Sequence, residues 1–225
     1  MNSAIIAAAG SGTRFGGDKP KQFLEILGKP LIIHTLERFE SCPQIDEIIL
    51  VLPEPEIANF SKIAEKYNLK KLVKLVAGGM TRTESVLNGL KAINSATAGI
   101  VAVHDGARPL VTVEEITRTI ERAEATGAAC LVANVTDTIK EISGDKIVRT
   151  VDREKLRRAL TPQSFHYEIL RRAFEKNSIK NSSATDESFL VENIGIEVSI
   201  VEGSAQNIKI THREDLIFAE NLLKE

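Results

Sequence analysis

The sequence predicts an α/β protein: a doubly wound, mostly parallel sheet with a β-hairpin arm protruding from it. Three observations predict this. Short runs rich in Ile, Val and Ala alternate along the chain with amphipathic segments of helical period. That is the layout of strands buried on both faces between two layers of helices. The polar loops carrying Gly, Arg, Lys and Asp follow the ends of those runs, and in open α/β sheets ligands bind at the carboxyl edge of the strands. The alternation breaks once, at "DTIKEISGDKIVRTVDR", where two extended segments flank Ser143-Gly144-Asp145, a hairpin-turn pattern.

In chain order, "AIIAA" from Ala4 reads as a buried strand, and "LIIHTLERFE" from Leu31 as a helix with Pro30 in its first turn. "EIILVLP" is a second strand, stopped at Pro53, and "IANFSKIAEKY" a second helix. "KLVKLVA", "GIVAVHD" and "AACLVANV" are further strands, and "TESVLNGLKAI" is the helix after the first of them. Thr112 opens another helix with Glu115 three residues on, a capping-box spacing. After the arm come helices near "HYEILRRAFEK" and "TDESFLVEN", a strand near "EVSIVEG", and a last helix with Thr211 and Glu214 as its capping pair. Thr185 is read as the cap of "TDESFLVEN", which places Asp186 and Glu187 at the positive end of its dipole, with a metal or acid–base role for the two carboxylates as the alternative.

The 225 residues suit one domain over 1–225, with the arm at about 137–153. A net charge of −2 and 4% aromatic residues argue against a nucleic-acid surface. No apolar run is long enough for a membrane span, and no basic leader precedes Ala4. Cys42 and Cys130 lie far apart with neither metal nor disulfide spacing, which fits a reducing cytoplasm. His34, His166 and His212 show no metal spacing either, and His104 reads as structural, because a phosphate nucleophile needs no base.

The chemistry is concentrated in "AAAGSGTRFGGDKPKQF", directly after the first strand. It is not a Walker loop: Gly12 and Gly17 have the spacing, but Asp18-Lys19-Pro20 follows where Gly-Lys-Ser/Thr is required. It is not a dinucleotide fingerprint either, since Phe15 occupies the third glycine position. A small-residue loop followed by Arg14, Lys19 and Lys21 suits a phosphate chain. When a phosphate oxygen attacks the α-phosphorus of a nucleoside triphosphate, one anion attacks another. Fixed cations must then hold both reactants and the leaving pyrophosphate.

That loop resembles the signature of nucleotidyltransferases. With "HDGARP", "DTIK", "TVDR", "LTPQSF", "ATDE" and "VEGSAQNIKIT" in order behind it, the chain resembles the 2-C-methyl-D-erythritol 4-phosphate cytidylyltransferase family from about residue 4 to the C-terminus. The resemblance implies a Rossmann-like nucleotidyltransferase fold, transfer of a cytidylyl group from CTP to a sugar-alcohol phosphate, and Mg²⁺ bound mainly through the triphosphate. It also implies a homodimer in which the arm helps complete the neighbouring site. Carried over by motif, Arg14 and Lys21 would stabilise the transition state. Ala8, Ala9, Gly10, Ser11, Gly12, Gly79, Arg82, Ser85 and Gly106 would bind the nucleotide. Asp105, Arg108, Thr138, Arg153, Thr161 and Lys209 would bind substrate and phosphates, and no protein metal ligand is implied. Family members commonly have Ala where this chain has Gly106. Blander readings stand beside several of these: Arg82 as a helix start, Asp105 and Thr161 as turn residues, and Arg153 as part of a solvated basic face. The neighbouring reading is ribitol 5-phosphate as acceptor, from which "TVDR" and "TDE" tilt the balance. More distant rivals are a sugar-1-phosphate nucleotidyltransferase and a non-catalytic nucleotide-binding regulator.

Overall fold

A computed structural model describes residues 1–10, 20–177 and 184–224. Seven strands form one sheet in the order β11-β7-β10-β6-β1-β4-β5. They are β1 (Ser3–Ala7), β4 (Glu47–Leu52), β5 (Leu72–Ala77), β6 (Ile100–Asp105), β7 (Ala128–Asn134), β10 (Arg157–His166) and β11 (Ser199–Glu202). β1 runs parallel to β4 and β6, β4 to β5, and β7 to β11. Only β10, between β6 and β7, is antiparallel to its neighbours.

The apolar runs form strands because both faces are covered. Ile6, Leu50 and Ala102 face one core with Leu36, Phe39, Ile116 and Ile120, from α1 (Leu31–Glu40) and α4 (Val113–Thr126). Ile5, Ile49, Val101 and Val103 face the other with Val86, Leu90, Leu170 and Leu190. These come from α3 (Arg82–Ala92), α5 (Tyr167–Lys176) and α6 (Glu187–Glu192). Adjacent residues of one strand thus enter different cores, the period-two geometry of a doubly wound sheet. The remaining helices are α2 (Ile57–Ala64) and α7 (Arg213–Leu223), and β2 (Glu25–Ile26) pairs with β3 (Lys29–Pro30).

The capping box of Thr112 and Glu115 forms as the spacing predicts. Three other local expectations are corrected. Pro30 is the residue before α1, not part of its first turn. His212 opens α7, and Asp215, not Glu214, takes the N–H groups of Thr211 and His212 at 2.7 and 2.8 Å. Asp186, not Thr185, caps α6, accepting from Phe189 N at 3.0 Å.

The arm is as expected: β8 (Ile139–Ser143) and β9 (Lys146–Val151) pair only with each other across the Gly144-Asp145 turn. Ile142, Ile147 and Val148 are 66%, 64% and 57% exposed.

Candidate active site

The strands β1, β5 and β6 end together at one edge of the sheet, over an open cleft of about 490 Å³. Residues 11–19 follow β1 and lie outside the described residues, so the roles assigned to Ser11, Gly12 and Arg14 are not located. Of the predicted residues, Ala8, Ala9, Gly10, Lys21, Gly79, Arg82, Ser85, Asp105 and Lys209 line the cleft. They come from five separate stretches of sequence, brought to one edge by parallel strand order.

The wall formed by Ala8–Gly10 and Gly79 is mostly backbone. Ala8 N donates to Val51 O at 2.9 Å, and buried Gln22 donates to Ala8 O at 2.8 Å. Gly79 N donates to Ser85 Oγ at 3.1 Å, and that hydroxyl donates to Thr81 O, so Ser85 supports the Gly79 loop from inside α3. Gly106 lies beneath the wall. A Cβ there would come within 2.8 Å of Ala8 Cβ and 2.7 Å of Ile32 Cδ1. The glycine therefore lets α1 and the β1 loop close over the end of β6, where Gly106 N donates to Ala7 O.

At the centre is Asp105, the last residue of β6 and 6% exposed. Its Oδ1 accepts from Arg82 Nε at 2.9 Å; its Oδ2 meets Arg108 Nε at 3.2 Å and Lys209 Nζ at 3.0 Å. Burial alone would raise this carboxyl's pKa, but the three cations together hold it well below the usual carboxylate range. Arg82 also donates Nη1 to both oxygens of fully buried Glu187, at 2.7 and 2.9 Å. Burial works against the charged guanidinium, but Glu187 and Asp105 outweigh it and raise its pKa. Lys21 Nζ donates to Ile210 O at 2.9 Å, and Arg108 Nη1 to Asn207 O at 2.8 Å. Both cations thus tie the C-terminal segment to the cleft.

Below Asp105 a hydrogen-bond chain fixes a neutral histidine. Asp105 N donates to Thr161 Oγ1 at 3.1 Å, so that hydroxyl is left to donate to His104 Nδ1 at 2.9 Å. His104 Nε2 then carries the proton and donates to Arg108 O at 3.2 Å. Burial pushes the His104 pKa down to about 3, which agrees with its structural reading. Thr161 is buried with its hydroxyl spent on this chain. Thr138 and Arg153 do not line the cleft: both are exposed at the base of the arm, where Arg153 Nη1 donates to Thr136 O at 2.6 Å.

Three contributors were missed in the sequence. Gln22 sits in the quoted "PKQF" and Asn207 in "SAQNIKIT", so their motifs were visible but their contacts were not. Glu187 reads from the sequence as a helix-dipole acid or a metal or acid–base carboxylate, not as a counter-ion, because its partner lies 105 residues away.

A mostly parallel, doubly wound sheet with a cation-rich cleft at its carboxyl edge defines a Rossmann-like nucleotidyltransferase. The family model for 2-C-methyl-D-erythritol 4-phosphate cytidylyltransferase (IspD) matches residues 2–225. The chain belongs to that family. A cytidylyltransferase of this name from Halalkalibacterium halodurans is 42% identical over 99% of this chain and 97% of its own length. The bifunctional enzyme IspD/IspF of Desulfotalea psychrophila is 45% identical over 99% of this chain, which spans only 57% of that longer protein. The crystal structure of 4-diphosphocytidyl-2C-methyl-D-erythritol synthase from Anaerococcus prevotii superimposes with a TM-score of 0.87 at 33% identity, covering 100% of this chain and 98% of that one.

Proposed function

We propose that the chain transfers the cytidylyl group of CTP to 2-C-methyl-D-erythritol 4-phosphate, releasing pyrophosphate. One observation carries the reading beyond family membership: Lys21, Arg82, Arg108 and Lys209 converge on a site where, among the described residues, Asp105 and Glu187 are the carboxylates that pair with them. The excess positive charge suits two phosphorylated reactants. The acceptor's phosphate oxygen forms the new bond to the α-phosphorus as the bond to pyrophosphate breaks. Lys21, with Arg14 seven residues before it in sequence, would stabilise the charge that builds there. Lys209 would hold an incoming phosphate, and the Ala8–Gly10 and Gly79 backbones would meet the cytidine. A non-catalytic nucleotide binder would have no use for cations on both sides of the reacting bond.

Mg²⁺ would enter on the triphosphate and neutralise part of its charge. The residues present fit that mode better than a protein cage. Both cleft carboxylates are committed to cations, and no group of three His, Cys, Asp or Glu suited to a metal occurs among the described residues.

The arm supports a two-fold homodimer. Its exposed Ile142, Ile147 and Val148 have no core of their own, and an isolated two-stranded hairpin is marginal in water. A second copy would bury them and bring Thr138 and Arg153 to its own cleft. No helix among the described residues is long and apolar enough to cross a membrane. The buried, unpaired thiols Cys42 and Cys130 suit a cytoplasmic setting.

The deciding experiment measures pyrophosphate release with Mg²⁺, each of the four nucleoside triphosphates, and methylerythritol phosphate or ribitol phosphate as acceptor. CTP with methylerythritol phosphate should dominate. Equal turnover with ATP would remove the cytidylyl reading, and preference for ribitol phosphate would replace the acceptor.

A further inference from the structure

Glu187 has no role in the transfer as described so far, yet it is a fully buried carboxylate at the edge of the site. Its partner explains why it is there. Arg82 is the first residue of α3, at the positive end of that helix, where a cation is disfavoured. Two anions hold it in place, and they hold it differently. A guanidinium and a carboxylate left to themselves pair as a fork, through two parallel N–H···O bonds. Arg82 gives Asp105 only Nε, on Oδ1. A side-on fork would add Nη2, and that atom is buried with no hydrogen-bond partner. Glu187 grips the far nitrogen, Nη1, with both oxygens. Asp105 Oδ2 is thereby left to Arg108 and Lys209.

Glu187 is itself held rigidly. Gln163, on β10, donates Nε2 to Asp186 Oδ2 at 2.9 Å and accepts from Ser188 N at 3.0 Å. One buried amide thus clamps the residues on either side of Glu187, so the carboxylate cannot follow Arg82 if the guanidinium swings.

We propose that Glu187 is a positioning residue of the transfer site: by tethering Arg82 through Nη1 it prevents a fork onto Asp105. It thus keeps Asp105 Oδ2 for Lys209 and Arg108. With Glu187 neutralised, Arg82 closes onto Asp105 and Lys209 loses its anchor.

The proposal rests on the transfer reading above, and the test separates the two. Wild type, Glu187→Gln, Arg82→Met and the double variant are compared by calorimetry with CTP and Mg²⁺, without acceptor, and by kcat and KM for pyrophosphate release. Glu187→Gln should bind CTP about tenfold more weakly and lose about ten- to a hundredfold in kcat, while still unfolding cooperatively. In the Arg82→Met background the same change should add less than twofold to either loss, because nothing remains for Glu187 to position. CTP affinity and kcat both within twofold of wild type for Glu187→Gln would overturn the proposal, as would the same fold-loss in both backgrounds. If Glu187→Gln does not fold, Glu187→Asp takes its place in the cycle, since the shorter carboxylate keeps a buried counter-ion but draws away from Nη1; CTP affinity and kcat both within twofold of wild type would then overturn the proposal. Wild-type protein that binds CTP but releases no pyrophosphate would remove the transfer reading and leave the affinity comparison to decide Glu187.

Discussion

Asp105, 6% exposed, answers three cations at the carboxyl edge of the sheet. On the arm, Glu141 answers only Arg149, with both side chains largely in solvent. The two regions differ as much in their apolar groups: the strands under the cleft hide theirs in two cores, while the arm displays Ile142, Ile147 and Val148. An exposed pair such as Glu141–Arg149 contributes about 0–1 kcal/mol. Removing one member of a buried, hydrogen-bonded set leaves uncompensated charge and costs about 3–5 kcal/mol. The edge is thus a buried charge cluster held together within one chain. The arm is a surface whose apolar residues this chain leaves uncovered.

The sharpest test of that contrast is at the edge. Lys21→Ala should lower kcat by about 10²–10³, the usual cost of losing one group aimed at developing charge, with Arg14→Ala in the same range. Steady-state pyrophosphate release measures both, and activity within twofold of wild type would break the assignment. On the arm, Ile147→Asp should leave the fold intact but halve the mass seen by light scattering, with about tenfold lower activity. Mixing Arg153→Ala with Lys21→Ala protein should restore part of the lost activity, since one hybrid site would receive both intact residues. A fully active wild-type monomer would show that the arm's apolar face serves no second copy.

Smaller effects sharpen the account of the edge itself. Gly106→Ala should cost about 1–3 kcal/mol by urea unfolding, the range for overpacking, because Ala8 Cβ cannot rotate away. A shortened side chain at position 32 should recover part of that loss. His104 gives the most specific signal. Its folded pKa, about 3, lies below the unfolded value of about 6.5. The unfolded chain therefore takes the proton first, and stability falls as pH drops below about 6.5, by up to about 1.4 kcal/mol per pH unit. His104→Gln should flatten that slope between pH 6.5 and 5. Taking the difference between variant and wild type cancels Asp105, whose contribution is lost only at lower pH. It also cancels Glu187, whose burial-raised pKa acts with the opposite sign.

The parallel strands were legible because a strand buried on both faces is apolar along its length, as "AIIAA" and "IVAV" are. β10 was not. It begins with exposed Arg157 and Arg158, contains Pro162, and buries Thr161, Gln163 and Ser164. A central strand that spends its polar side chains inside the protein carries no apolar signature, and its proline argues against a strand at all. The residues at the cleft were readable as motifs because the loops keep their chemistry in short contiguous runs. Glu187 was not, because a helix-terminal acid and a buried counter-ion look alike until Arg82 is placed beside it.

The position of β10 also shapes how the chain folds as it is made. β6 and β7 do not pair; β10 is the only strand that joins the β11-β7 half of the sheet to the β6-β1-β4-β5 half. As the chain leaves the ribosome, β1, β4, β5 and β6 can close a four-stranded sheet once residue 105 has emerged. The apolar strand "AACLVAN" then waits with both edges unpaired until residues 157–166 follow, with the whole arm synthesised in between. Unpaired apolar strand edges are where nascent chains aggregate. For this molecule both edges of β7 stay open during the synthesis of about thirty residues, from the end of β7 to the end of β10, and its second edge stays open until β11 follows.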